Sequence, residues 1–343
     1  MKMKAKEIAR LLGVSPSTVS LVLNNKPGVG DETRQQILTL LRENNYDVPE
    51  VETTPVPDRN IQFIIYKKHG MVVSDTPFFS VLIESIHRAA RAAGFNLIIT
   101  YVDELQDDIS SLLIQIDKTR PAGLLILATE MISEDVDTFK YLRSPMLLLD
   151  NQFADQDLDA VCINNADGVL KAVSHLISLK HENIGYLDSK VRINNFEQRL
   201  RYFRTYLSEQ KTALAEGNIF QLTPTMDGAY LDMKTCLSLC KDMPSALFAA
   251  NDMIALGAAR ALKEAGYRIP EDISLIGFDD IAFCEMSEPP LTTIHVYNRH
   301  MGTAAVRRLV ELIEQPAIEI QKTYISTRLI ARNSTRSAAN DRV

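Results

Sequence analysis

The chain of 343 residues contains no tryptophan, only four cysteines, and no apolar run approaching the ~18 residues that a membrane-crossing helix needs. Early lysines in MKMKAKEIARLLGVS are not followed by an apolar stretch of signal-peptide length, so the cytoplasm is the expected location. Without an indole, any flat platform for a bound ring has to come from phenylalanine or tyrosine. Cys162, Cys236, Cys240 and Cys284 show no CxxC spacing. Cys236 and Cys240 lie four apart on one helix face, but no histidine is near in sequence to complete a metal site, so reduced thiols and no metal are expected. GxGxxG, GxxxxGK[ST], GxSxG and HExxH are all missing, and the six histidines stand singly. These absences speak against a doubly wound enzyme, and neither catalytic residues nor a cofactor are expected.

A charged fraction of 24% with 46% apolar residues excludes disordered and fibrous classes, and the length calls for two or three domains. The net charge of −7 hides an asymmetry. Residues 1–46 carry seven Lys or Arg against four Asp or Glu, a balance of +3, whereas residues 47–60 carry one against four. Only the first segment has a charge suited to phosphate.

Residues 4–46 read as three short helices. Ala5, Ile8, Ala9 and Leu12 recur at helical spacing before Gly13. Ser15 occupies an N-cap position with Pro16 in the first turn, and a second helix runs to about Leu23. Asn24, Asn25, Pro27 and Gly28 break it, and a third spans about Asp31 to Asn45. The next stretch, DVPEVETTPVPDRN, reads as a linker over residues 47–60. From Ile61 onward, apolar runs alternate with helical patterns. Strands are expected at Ile61–Tyr66, Leu97–Tyr101, Gly123–Leu127, Met146–Leu149, Ile184–Leu187, Ala246–Ala249 and Leu275–Phe278. The intervening helices include Phe79–Ala93 and Phe196–Gln210. Such alternation implies two doubly wound parallel-sheet lobes, in which ligands bind beyond the carboxyl ends of strands.

AKEIARLLGVSPSTVSLVLNNKPGVGDETRQQILTLLRENNY resembles the DNA-binding headpiece of the lactose and galactose repressor family of bacterial transcription regulators. The likeness continues through NDMIALGAARALKEAGYRIPEDISLIGFDDI, PPLTTIHVYNRHMGTAAV and TRLIARNST, leaving out only residues 47–60. It implies an all-α helix-turn-helix headpiece at 1–46 followed by a periplasmic-binding-protein-like α/β sensor. Lobe one would hold 61–161 plus 294–320 and lobe two 162–293 plus 321–340, with crossovers near Cys162, Thr293 and Lys322. The implied function is operator binding by a homodimer, with no membrane partner and no cofactor, controlled by a small polar effector, most simply a sugar. A nucleoside or purine effector, or a sensor that docks a protein, are the alternatives. A transport binding protein is opposed by the headpiece and by the missing signal peptide.

Helix two can lie in the major groove of double-stranded DNA. Ser15, Thr18, Ser20 and Asn24 are short hydrogen-bonding residues suited to phosphate or base contacts. The resemblance makes Pro16, Ser17 and Leu21 the positions that choose the operator sequence, and Leu21, being apolar, can touch a thymine methyl but cannot pair with guanine. Relatives place a short hinge helix after the tyrosine matching Tyr46. Here DVPEVETTP has no leucine and two glutamates, which favours a plain spacer.

In the sensor, Asp150 follows MLLL, Asn251 follows ALFAA and Asp279 follows SLIGF, so each falls at a strand's carboxyl end. By the resemblance Arg199 clamps ligand oxygens, facing Asp279 across the cleft. Phe78 and Phe79 offer a flat face, and Asp75 and Ile163 complete the candidate set. Plainer roles stand beside these: Asn251 as a helix cap, Phe79 as core, and the Asp279–Asp280 pair as a loop turn.

Overall fold

The computed structural model describes residues 5–23, 26, 29–43, 58–74, 76–212, 214–240, 242–316 and 319–338. The chain divides into two compact units, residues 1–56 and 57–343. In the first, α1 (Ala5–Leu11), α2 (Pro16–Leu23) and α3 (Asp31–Glu43) enclose Ile8, Ala9, Val19, Val22, Ile37, Leu38 and Leu41. These apolar residues recur at three- and four-residue spacing because one face of each short helix must be covered by the other two. The expected base-contact residue Asn24 and the greater part of the linker, 47–57, lie outside the described residues.

The second unit contains two six-stranded sheets. The first sheet orders β11 (Lys322–Ile325), β5 (Asp159–Ile163), β4 (Met146–Leu149), β3 (Pro121–Leu127), β1 (Asp58–Lys67) and β2 (Asn96–Asp103), all parallel. Helices α4 (Phe78–Ala92), α5 (Ile109–Thr119), α6 (Ser133–Asp137) and α12 (Asn298–Glu314) complete lobe one. The second sheet orders β12 (Thr327–Ile330), β10 (Thr292–Val296), β9 (Ser274–Asp279), β8 (Ala246–Ala249), β6 (Ile184–Ser189) and β7 (Ile219–Leu222). It is parallel except for β12, which runs antiparallel to β10. With it go α7 (Asn165–Ser178), α8 (Asn194–Glu209), α9 (Met226–Leu239), α10 (Asp252–Glu264) and α11 (Phe283–Met286), forming lobe two. Strands such as PAGLLIL and MLLL are buried along their whole length, as expected where helices cover both faces of a parallel sheet.

Four boundaries differ from expectation. Strand β1 opens at Asp58, so the last residues of the expected linker are already in the sheet. The lobe crossings fall at Asn164, Tyr297 and Ser326, each two to four residues after the expected point. The reason is pairing: β5 and β11 stay registered together through Ile163 and Ile325, and β10 stays on β9 through His295, before the chain leaves for the other lobe. Residues 294–296 therefore belong to lobe two and 321–325 to lobe one.

Candidate functional site

On α2, Val19 and Val22 point into the headpiece core. At ~100° per residue, Ser17, Ser20 and Leu21 then share the opposite face. Ser17 and Ser20 are exposed and Leu21 is half-buried. Ser15 caps the helix, its Oγ accepting from Thr18 N at 3.1 Å and lying 2.6 and 2.8 Å from the hydroxyls of Ser17 and Thr18. Pro16 is exposed in the first turn, where a missing N–H costs nothing.

The sensor's candidates come together in one interlobe cavity. Lobe one contributes Val72, Thr76, Phe78, Phe79, Thr129, Asp150 and Ile163, and lobe two contributes Ile193, Asn195, Phe196, Arg199, Asn251 and Asp279. The space between them, open solvent at its mouth included, is about 320 Å³. Seven of the eight residues expected from sequence line it, and the eighth, Asp75, lies outside the described residues. Phe78 and Phe79 open α4 with their rings edge to face, centroids 5.2 Å apart. Asn251 both lines the cavity and caps α10, accepting from Ile254 N at 3.0 Å.

Arg199 and Asp279 do not face one another across the cleft. Both belong to lobe two and stand side by side, the guanidinium reaching Asp279 Oδ1 at 3.5 Å. The reason is local: α8 packs on α7 and β6, which carries Arg199 to the carboxyl ends of β8 and β9, where it donates to Ala250 O at 2.6 Å with its Cζ 3.6 Å from the centre of the Phe278 ring. Its Nε donates to Asn165 Oδ1 at 2.9 Å. Planar stacking and a fixed fork of donors suit arginine to this role.

Across the cleft, lobe one is met by amides that sequence reading missed. Asn195 Nδ2 donates to the main-chain and Oδ1 oxygens of Asp150, both at 3.1 Å, and Thr129 Oγ1 donates to Asp150 Oδ2 at 2.7 Å. Asn194 Nδ2 donates to Asn151 Oδ1 at 2.8 Å. Asn165 Nδ2 in turn donates to Asn195 Oδ1 at 2.7 Å, which joins the Arg199 and Asp150 groups into one network. The sequence signal was the NN pair opening α8, which looks like an ordinary helix start.

Electrostatics here are acidic. Burial pushes the Asp150 carboxyl up to about 6, against hydrogen bonds from Thr129 and Asn195 and the charge of Arg199. Burial also raises Asp279, and the neighbouring Asp252 and Asp150 carboxyls raise it further against the pull of Arg199. Asp252 sits beneath, bonded to Thr293 Oγ1 at 2.6 Å and Ile281 N at 3.0 Å. It fits only because position 277 is glycine: a Cβ there would fall 2.0 Å from Asp252 Oδ1. Asp150 and Asp279 have φ of 67° and 116°, strained for a non-glycine residue, and strain of this kind collects at ligand sites. The cavity thus offers one guanidinium, the two amide groups of Asn195 and Asn251, surplus carboxyl oxygens and three phenylalanine rings: it can grip a small polar molecule that carries hydrogen-bond donors. Among the described residues no group of three or more His, Cys, Asp or Glu could hold a metal, and no helix is long and apolar enough to cross a membrane.

Residues 4–48 match the model for bacterial regulatory proteins of the lacI family, and residues 173–335 match the periplasmic binding protein-like domain. The HTH-type transcriptional repressor PurR of Mannheimia succiniciproducens is 32% identical over 97% of this chain and 99% of its own length. Among solved structures, a lacI-family transcriptional regulator from Enterococcus faecalis with bound ribose has a TM-score of 0.69 at 28% identity, covering 82% of this chain and 100% of that one. The complex of the transcriptional regulator CelR with cellobiose has a TM-score of 0.73 at 24% identity, covering 97% and 99%, and shares the fold.

Proposed function

The chain belongs to the lacI family of bacterial regulatory proteins, as a DNA-binding transcriptional repressor, and from that premise we propose that a small polar effector in the interlobe cleft sets how tightly its headpiece holds an operator. The observation that carries this reading is the gathering of Phe78, Phe79, Asp150, Ile163, Arg199, Asn251 and Asp279 around one cavity at the carboxyl ends of strands from both lobes. The repressor works in the cytoplasm as a homodimer, because a single headpiece of this size offers too little contact for tight specific binding, whereas two read the halves of a near-palindrome. Ser15, Pro16, Ser17, Thr18, Ser20 and Leu21 form its DNA-facing set.

The effector is a flat, polar heterocycle of the nucleobase or nucleoside class. A narrow space with Phe78, Phe79 and Phe196 in its walls favours a planar ring, and the amides and Arg199 supply edge contacts. A sugar is the second reading, favoured by the ribose-bound relative and by the surplus carboxyl oxygens, which suit hydroxyl donors. A thermal-shift screen of hypoxanthine, guanine, nucleosides, ribose and disaccharides separates them, since a ligand of the folded state raises the unfolding temperature. The expected hit is a nucleobase whose effect vanishes in Arg199→Ala. If no compound of either class moves the transition, the cleft is not a metabolite site.

A further inference from the structure

At the end of β3 two adjacent polar residues turn opposite ways. Thr129 points into the cavity and bonds Asp150. Glu130, 2% exposed, points back under the loop that leaves β1. Because β3 pairs directly with β1 as far as Leu127 and Ile65, that loop must pass over it. Five main-chain amides converge on its carboxylate. Lys68, His69 and Gly70 donate to Oε2 at 3.0, 3.1 and 2.8 Å, and Val72 and Val73 donate to Oε1 at 2.9 and 3.0 Å. Gly70, at φ 72°, takes the left-handed turn that aims successive N–H groups at one point. Clustered amides of this sort usually cradle an external anion; here the protein fills the cradle itself. Burial alone would raise the carboxyl, but the amides of Val73, His69, Val72 and Gly70 outweigh it and hold it below the ordinary glutamate range. Asp150 and Asp279, which meet fewer donors, are raised instead.

This loop leads into the cavity wall: Val72, Thr76, Phe78 and Phe79 follow one another around the space. We propose that Glu130 is a positioning residue of the effector cleft, fixing loop 68–73 and with it the phenylalanine wall of lobe one before any ligand enters. The proposal rests on the cleft being the effector site. Its consequence is that ligand binding orders little on the lobe-one side, and the adjustable contact is the lobe-two amide of Asn195.

Glu130→Gln tests this at constant size. It replaces one acceptor oxygen by a donor, so two or three amides face an N–H group whichever way the side chain turns. Hydrogen exchange of the ligand-free full chain should show amides 68–73 and the start of α4 exchanging at least tenfold faster, with β8 and β9 unchanged. Affinity for hypoxanthine, guanine, a nucleoside, ribose or a disaccharide, whichever binds the wild type, should fall at least tenfold. Glu130→Asp, shorter but charged, should recover part of both losses, and it serves as the readable variant if the Gln form does not fold. Unchanged exchange at 68–73, or faster exchange with unaltered affinity, overturns the proposal. A wild type that binds no nucleobase, nucleoside, ribose or disaccharide undoes the effector reading of the cleft, while the exchange comparison still decides whether Glu130 anchors the loop.

Discussion

On α2 the candidate contact groups Ser17 and Ser20 are exposed above a core of seven small and medium-sized side chains, whereas in the cleft Asp150, Arg199 and Asn251 are nearly buried and bonded to the protein. The headpiece can exchange water for phosphate and bases with little rearrangement. The cleft has to trade protein–protein hydrogen bonds for ligand bonds, so its selectivity lies in which partner leaves each buried group least satisfied. One surface reads from solvent, the other from among buried bonds that it has to give up.

The largest expected effect breaks the headpiece side of that contrast. Val19→Asp places an unpaired charge in the three-helix core, a cost on the order of 4 kcal/mol against a unit of some fifty residues. Operator binding should be abolished in a mobility-shift assay while the main calorimetric transition of the sensor stays in place. A shifted sensor transition would mean that the two units do not fold separately.

Arg199→Ala breaks the cleft side. It strips donors from Asn165 Oδ1, Ala250 O and Asp279 at once, and truncating one partner of a buried charged pair costs about 2–5 kcal/mol of binding. Calorimetric titration with the compound found by screening should show a loss of at least about thirtyfold, and equal affinity would place the site elsewhere.

How far these features could be seen in the sequence follows from what each depends on. Strands β3, β4 and β8 were legible because a strand buried on both faces reads as an unbroken apolar run. Strands β5, β7, β10, β11 and β12 were not, since DAVCI, IFQL, TTIHV, KTYI and TRLI are short and mix polar with apolar residues near the crossings or edges. Asp150, Asn251 and Asp279 were legible because position at a strand end is a local property. Asn194, Asn195 and Glu130 were not: their roles depend on how α8 meets the other lobe and on the path of a loop around a distant carboxylate. The side-by-side placement of Arg199 and Asp279 failed for the same reason.

A pH series sharpens the contrast at intermediate magnitude. The folded Asp150 carboxyl keeps its proton to about 6, and the unfolded one releases it near 3.8. Its contribution is therefore complete below about pH 4 and is lost as pH rises through about 6, up to on the order of 3 kcal/mol. Asp150→Asn, permanently neutral, should unfold at higher urea than the wild type at pH 7.5, and with about a third of that margin at pH 4.5. A difference independent of pH would mean that Asp150 is ionised in the folded cleft.

The smallest effect belongs to the exposed helix. Exchanging thymine for uracil opposite Leu21 removes one methyl contact, about 0.8 kcal/mol, and Leu21→Arg should change the preferred base while leaving total affinity similar. No response to either change would mean that α2 is docked with another face to the DNA.

The central claim is that a molecule in the cleft governs a DNA reader. Duplexes selected by the full chain from a random pool should be titrated by fluorescence anisotropy with and without hypoxanthine, guanine and ribose, using wild type and Arg199→Ala. The account predicts one enriched near-palindrome whose affinity changes at least tenfold when a cleft-binding compound is added to the wild type, and no change in the variant. Equal affinity with and without every compound shown to bind the cleft, or a pool with no enriched sequence, would contradict it.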